Sequence, residues 1–337
     1  MKKKRKLKKG FKIIIIIFIV LVSTGAFLLY GPYSKFRDFL ITTTMTTKSH
    51  QYLAKIFYSD ETIDKVLAKH KVIEPKKSTD PNLIMKDENV TFEDEYDEEI
   101  LTKDPEHELY KVIEISGKGY QGYLVAIYDP SRVKIATTKY LGVRGESITT
   151  VAKDNNAIIA MNAGGFYDPD WNSNGALPHG IVIKDSKVVS RYSKANVGGG
   201  LVGFDKDNKL ILGRYSEQQA INMGIRDAIE FGPFLIVNGE SAFVKGNGGW
   251  GIAPRTAIGQ RKDGIVLFLV INGRIPSSIG ADMGDLVEVM ERYKAVNAAN
   301  MDGGSSTELV INNEIINKPV AGGVNGLRDM PTFWIVK

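Results

Sequence analysis

With 337 residues, 43% of them hydrophobic, the chain is long enough for one large core or two ordinary domains. Its net charge of +5 misleads: eight lysines and arginines lie within the first 12 residues, and removing those eight from the +5 leaves −3 for the remainder. A basic tail on an otherwise acidic chain withdraws the main argument for a nucleic-acid partner, and a chain without cysteine has neither a disulfide framework nor thiolate chemistry. An exported domain of this kind must draw its stability from its core, which suits a Gram-positive cell surface. Residues 13–30 carry no charge. With Phe11, and Lys12 reaching to the interface, the span is about 20 residues, enough for a helix to cross a hydrocarbon layer of roughly 30 Å. The basic cluster before it predicts a cytoplasmic N-terminus and an exterior C-terminal bulk. A cleaved signal peptide is the rival reading, with a small-residue site near Thr24-Gly25-Ala26. The apolar run continues past that site through Phe27-Leu28-Leu29, which favours a single-pass anchor in the cell membrane.

The chain then divides into a basic cytoplasmic tail (1–12), a transmembrane anchor (13–30), a juxtamembrane helical segment with an acidic linker (31–105) and a main domain (106–337). Asp60-Glu61 opens a short expected helix with Ile63, Val66 and Leu67 on one face. The hydroxyl-rich run Thr43 to Thr47 is assigned no chemistry. Residues 74–105, with Pro75, Pro81 and the acidic run Glu93 to Glu99, read as a solvated, disordered spacer rather than a cation site. From about Leu109 the texture changes to short strands, at 110–115, 120–128 and 132–138, with Gly117-Lys118-Gly119 and Asp129-Pro130 between them. Hairpin turns are expected at Asp185-Ser186, 205–208, Asn238-Gly239, Asp263-Gly264 and Asn312-Asn313. Residues 147–152 and 282–293 are the helix candidates of this domain, the second with Leu286, Val287, Val289 and Met290 as its apolar set. Residues 332–336 read as a closing strand. Many strands and few helices predict an α+β fold: a β-rich, mixed-sheet catalytic domain preceded by a single N-terminal transmembrane helix.

Two stretches share one design. Residues 295–301, small and apolar, read as a buried strand that stops at Asp302, and Gly303-Gly304-Ser305-Ser306-Thr307 follows at once. Glycines free the backbone, and successive N–H groups in such a turn converge on an anion. Apolar residues 157–161 lead likewise into Asn162-Ala163-Gly164-Gly165-Phe166-Tyr167. Two strands that each end in a short polar side chain and a Gly-Gly pair predict one composite site. With the stretches 232–239, Gly-Pro-Phe-Leu-Ile-Val-Asn-Gly, and 254–259, Pro-Arg-Thr-Ala-Ile-Gly, these motifs in this order resemble the phosphodiester glycosidase family, over roughly residues 110–337. That family includes the enzyme that uncovers mannose 6-phosphate on lysosomal proteins, and its bacterial members are often labelled exopolysaccharide biosynthesis proteins. Near the C-terminus the family often has Glu-Arg before a short apolar strand; here Leu327 precedes Arg328, and Arg328 is left outside the expected site.

The resemblance implies a membrane-anchored hydrolase acting on sugar-1-phosphodiester linkages in cell-wall or exopolysaccharide glycans, cleaved at the anomeric carbon. A glycosidic transition state resembles an oxocarbenium ion and is usually served by two carboxyl groups. A phosphodiester leaving group is already acidic, so positive charge and backbone N–H groups at the phosphate matter more than its protonation. On this reading Asp302 supplies the carboxylate, Arg255 clamps the phosphate, and Asn162 and Ser305 orient sugar hydroxyls or water. Gly164, Gly165, Thr256, Gly303, Gly304 and Ser306 are assigned to substrate binding beside them. Asp168, Asp170 and Asp282 stay open as the second carboxylate. His179 is left out, since a lone histidine is more often structural, and Gly198-Gly199-Gly200 and residues 246–249 are expected as mobile loops near the site. No histidine or carboxylate spacing points to a metal, and no cofactor motif is present. Two other classes stay in play: a non-catalytic glycan-binding or assembly module, and a metal-dependent phosphodiesterase that cleaves P–O.

Overall fold

The computed structural model describes residues 9–47, 50–85, 92–169, 173–192, 199–321 and 326–337. The tail up to Lys8, the candidate Asp170 and Gly198 lie outside them. The chain forms two compact units, Met1–His70 and Lys71–Lys337.

In the first unit the helix Lys9–Tyr30 is long and apolar enough to cross a membrane, and none of its residues is buried. Its composition and place near the N-terminus fit a membrane span or a signal sequence. Three shorter helices follow, Ser34–Met45, Gln51–Phe57 and Asp60–Leu67. They close a small core of Ile41, Ala54, Tyr58, Ile63 and Val66. The expected helix at Asp60 forms with Ser59 as its cap, the serine oxygen accepting from the Thr62 N–H. The threonine run sits on the second helix and its end, where the hydroxyls of Thr42, Thr44 and Thr46 donate to the carbonyls four residues back.

The second unit contains three large antiparallel sheets. Seven strands run in the order Glu240–Ser241, Phe234–Val237, Ala295–Asn300, Arg255–Arg261, Val266–Ile271, Tyr120–Ile127, Tyr110–Gly117. A five-stranded sheet has the order Lys187–Tyr192, Gly180–Lys184, Ile225–Phe231, Gly200–Asp205, Leu210–Gly213. Another has the order Glu314–Ile315, Leu309–Ile311, Ile159–Asn162, Thr332–Val336, Val133–Thr137. All three contribute to one core, in which Phe268, Ile258, Val202, Ile229, Met161 and Trp334 are packed together. Phe204 meets Trp334 edge-on at 5.6 Å between ring centroids.

The strand Val266–Ile271 is buried along its whole length because it has that core on one face and a helix on the other. This two-sided burial is why its sequence is an unbroken apolar run rather than an alternation. The covering helix, Met283–Arg292, presents Leu286, Val289 and Met290 to Leu235, Ile236, Leu267 and Leu269. Deleting one such buried side chain to alanine costs about 2–5 kcal/mol. Asp282 starts the helix by accepting from the N–H groups of Gly284 at 2.8 Å and Asp285 at 3.1 Å, and Asp285 returns the contact to the Asp282 N–H. Left-handed residues occupy the expected hairpins: Asp185 and Ser186, Asn208, Asn238 with Gly239, Gly264, and Asn312 with Asn313. The α+β class and its β-rich character are as expected, and every strand pairing among the described residues is antiparallel.

The described part of the segment expected to be a disordered spacer belongs instead to the second unit. Lys71–Ile73 pairs with Phe243–Lys245 as a two-stranded ladder. Glu74 accepts from the Phe234 N–H at 2.7 Å, and Thr79 exchanges two bonds with Leu212. The acidic run folds as the helix Glu95–Leu101, capped by Asp94, with Ile100 fully buried. Asp97 is 3% exposed and binds Arg261 at 3.0 Å and Lys294, while Glu99 accepts from the Tyr293 hydroxyl at 2.8 Å. Burial works against the Asp97 charge, but the bonds from Lys294 and Arg261 outweigh it and hold its carboxyl below the usual range. The run is therefore a docked helix whose acids meet basic partners more than 160 positions away. Asp97→Ala is expected to cost about 3 kcal/mol, because it leaves part of a buried cation uncompensated. The loss should appear as a lower urea midpoint at unchanged slope. An unchanged midpoint would mean that the helix merely rests on the surface.

Candidate functional site

The two glycine turns meet where the central sheet adjoins the sheet containing Ile159–Asn162. Strand Ile159–Asn162 delivers Asn162, strand Ala295–Asn300 runs out into Asp302, and strand Arg255–Arg261 begins at Arg255. The Asp302 N–H donates to the Ala163 carbonyl at 3.0 Å, which ties one turn to the other. Asn162 completes the junction: its Nδ2 donates to the Asp302 carbonyl at 2.6 Å, and its Oδ1 accepts from Thr256 Oγ1 at 2.8 Å and from the Glu308 N–H at 3.2 Å. The expected composite site is in this sense one piece.

Asn162 and Thr256 are fully buried, and their side chains bond each other and the backbone, so they brace the two turns. Gly165 also serves packing, since a Cβ there would stand 2.7 Å from the Phe231 ring. Gly304 does adopt a left-handed conformation, φ +64°, which justifies a glycine at the turn. Asp302, Gly303, Gly304 and Ser305 are half-buried and form the accessible rim, and Ser306 is buried beneath it.

Arg255 is 4% exposed and held from behind. Its Nε donates to the Ala281 carbonyl at 3.1 Å, and Nη2 donates to the carbonyls of Trp250 and Gly251 at 2.5 Å each. Its Nη1 has no acceptor among the described residues and lies 3.7 Å from the place where a Cβ on Gly303 would stand. Burial, with Arg274 adding repulsion, lowers its pKa to about 10, so the cation persists at neutral pH, helped by Asp282, Asp285 and Asp302. The 246–251 stretch is thus part of the Arg255 mount, with Gly248 packed against Met283 and Val72.

Among the second-carboxylate candidates, Asp282 is the helix cap already described, and Asp168 is 6% exposed and paired with Arg328. Arg328, left outside the expected site, belongs to it. It reaches Ser305 and Ser306 at 3.2 Å each, binds Asp168, and stacks 4.5 Å above the Phe166 ring. Sequence reading also passed over Arg274, whose Nη2 lies 3.3 Å from a Cβ position on Gly304, and Glu308. A carboxylate at the head of the buried strand Leu309–Ile311 was the available signal for Glu308. That side chain is fully buried; Oε1 accepts from the Arg328 N–H at 2.8 Å, and Oε2 has no hydrogen-bond partner among the described residues. Among the described residues no group of three His, Asp or Glu side chains is arranged to hold a metal ion.

The fold and the site define a class: a β-rich α+β domain that gathers the Asp302 carboxylate and several guanidinium groups around paired glycine turns, a setting suited to an anionic ligand. The chain belongs to the phosphodiester glycosidase family, whose model matches residues 155–337. It is 28% identical over 199 residues to the SPbeta prophage-derived uncharacterized protein YomE of Bacillus subtilis (strain 168), covering 56% of this chain and 30% of that protein. To the N-acetylglucosamine-1-phosphodiester alpha-N-acetylglucosaminidase of Bos taurus it is 24% identical over 197 residues, covering 52% of this chain and 35% of the relative. The chain therefore spans about a third of the length of these curated relatives. The solved catalytic domain of the zebrafish N-acetylglucosamine-1-phosphodiester alpha-N-acetylglucosaminidase, auto-inhibited by its pro-peptide, superposes with a TM-score of 0.54 at 21% identity. That match covers 67% of this chain and 81% of the other and shows a shared fold.

Burial pushes the Glu308 carboxyl up to about 8; the Arg328 N–H opposes the rise and the Asp329 charge adds to it. An unfolded glutamate ionises near ~4.3, so the folded protein keeps a proton that the unfolded chain has released. The stabilisation is complete below that lower value and is lost as pH rises to about 8, at a limiting slope of about 1.4 kcal/mol per pH unit. Glu308→Gln stays neutral throughout. Its melting temperature relative to the parent is therefore expected to climb from pH 5 to pH 8 and then level off. Parallel profiles would show that Glu308 is ionised in the fold.

Proposed function

We propose that the chain is a hydrolase of sugar-1-phosphodiester linkages, cleaving between the anomeric carbon and the bridging oxygen. The observation that supports it most is the meeting of Asp302 and the open edge of Arg255 on one glycine turn, in a chain of the phosphodiester glycosidase family. As the C–O bond breaks, positive charge grows on the sugar ring and negative charge on the departing phosphate. Asp302 stabilises the first and Arg255 the second, and water supplies the hydroxyl that completes the free sugar. Two carboxyl groups need not share the work, because the leaving phosphomonoester carries its own acidity. Asn162 holds the Asp302 backbone in place, and Arg328 fixes Ser305 and Ser306 beside it. The apolar helix Lys9–Tyr30 anchors the protein in the membrane, with the second unit outside the cell acting on cell-wall or exopolysaccharide glycans.

Asp302→Asn keeps shape and removes the charge. kcat is expected to fall about 10²- to 10⁴-fold with substrate affinity little changed, by analogy with acid–base contributions. Hydrolysis in ¹⁸O-labelled water should place the label in the sugar. Label in the phosphate would mean P–O cleavage and would overturn the reaction proposed, and undiminished turnover in Asp302→Asn would remove that residue from it.

A further inference from the structure

Arg274 differs from most arginines of the second unit. Six others there close ion pairs with carboxylates, whereas Arg274, Arg255, Arg132 and Arg144 close none among the described residues; Arg132 bonds the Lys337 carbonyl and Arg144 stacks on Tyr140, away from the glycine turn. Arg274 follows the buried strand Val266–Ile271 on a turn whose backbone is left-handed at this residue, φ +57°, and its N–H donates to the Ile279 carbonyl at 3.2 Å. A residue with a Cβ rarely adopts that conformation, and here it carries the guanidinium over the second glycine turn. Nη2 lies 3.3 Å from the Cβ position of Gly304, while Arg255 Nη1 lies 3.7 Å from that of Gly303. Two cations thus flank consecutive glycines although they repel one another. Between them the N–H groups of Gly303 and Ser305 have no acceptor among the described residues. A pair of like charges and open donors, with no carboxylate bonded to either cation, is an arrangement that an anion stabilises.

We propose that Arg274 is the second guanidinium arm of the phosphate site, closing with Arg255 on a phosphoryl group over Gly303-Gly304 and selecting phosphodiesters over neutral glycosides of the same sugar. The selection among glycosides rests on the function proposed above; the anion site does not. Arg255 is held from behind and offers one nitrogen, which satisfies one phosphate oxygen. Arg274, exposed and beside the other glycine, reaches a second oxygen. A planar fork suits that contact better than a lysine does.

The test uses the full-length protein in detergent with inorganic phosphate as the probe. Phosphate should raise the melting temperature of the parent, and Arg274→Gln should need about 10- to 100-fold more phosphate for the same rise, the scale of one charged hydrogen bond. Both side chains keep the same backbone demand, so equal melting without phosphate is the folding control. On a sugar-1-phosphodiester the variant should lose a similar factor in kcat/KM, mostly through KM, and Arg274→Lys should recover part of it. The parent's preference for the phosphodiester over a neutral nitrophenyl glycoside of the same sugar should shrink in the variant. Equal phosphate response in parent and Arg274→Gln, or no response in either, would overturn the proposal. A parent that binds phosphate through Arg274 yet cleaves no phosphodiester would defeat the proposed reaction and leave the anion site standing.

Discussion

The amide of Asn162 is the contact on which the site depends. One donor and one acceptor atom join four segments: its own strand, the Asp302 turn, the start of the Arg255 strand, and the Glu308 strand. No apolar side chain could do this, because each partner is a buried polar group that loses about 1–3 kcal/mol if left unpaired. A fully buried asparagine is otherwise an expensive choice for a sheet interior, and here its cost is offset by the bonds that fix the two sheets against each other. The glycine turns gain their shape from this joint, and Asp302 gains its position.

Around that joint the charges fall into two groups. Buried acids such as Asp97 and Asp227 face basic partners and keep the fold together. At the turn the balance reverses: Arg255, Arg274 and Arg328 crowd onto four residues, and among the described residues only Arg328 is paired with a carboxylate. Arg255 is mounted by carbonyl oxygens, which orient a guanidinium without neutralising it. A structural ion pair would have cancelled the charge. The mount preserves it for a ligand.

Glu308 and Arg328 show how the C-terminal stretch enters the site. The Glu308 carboxyl holds the Arg328 backbone, and the Arg328 guanidinium holds Ser305, Ser306 and Asp168. A buried acid that keeps its proton at neutral pH is suited to such a position, because a carboxylate with one unpartnered oxygen would be too costly there.

Periodicity and turn chemistry are local, and what depends on them was legible in the sequence. The helix under the central sheet, the left-handed hairpin residues, the apolar run at the N-terminus and the paired strand–glycine turns all follow from neighbours within a few positions. The four motifs also sufficed for the family. What the sequence left open depends on partners far along the chain. Glu93 to Glu99 has the composition of a solvated spacer, and only Arg261, Lys294 and Tyr293, brought alongside by the fold, turn it into a docked helix. Asn162 and Thr256 have the residue types of a substrate site, yet they face each other across two sheets and are buried. Arg274 has no local pattern that separates it from other arginines, and Arg328 was set aside because Leu327 stands where the family pattern has a glutamate. A side chain's type states which contacts it is able to make; the tertiary structure decides which of them are already taken.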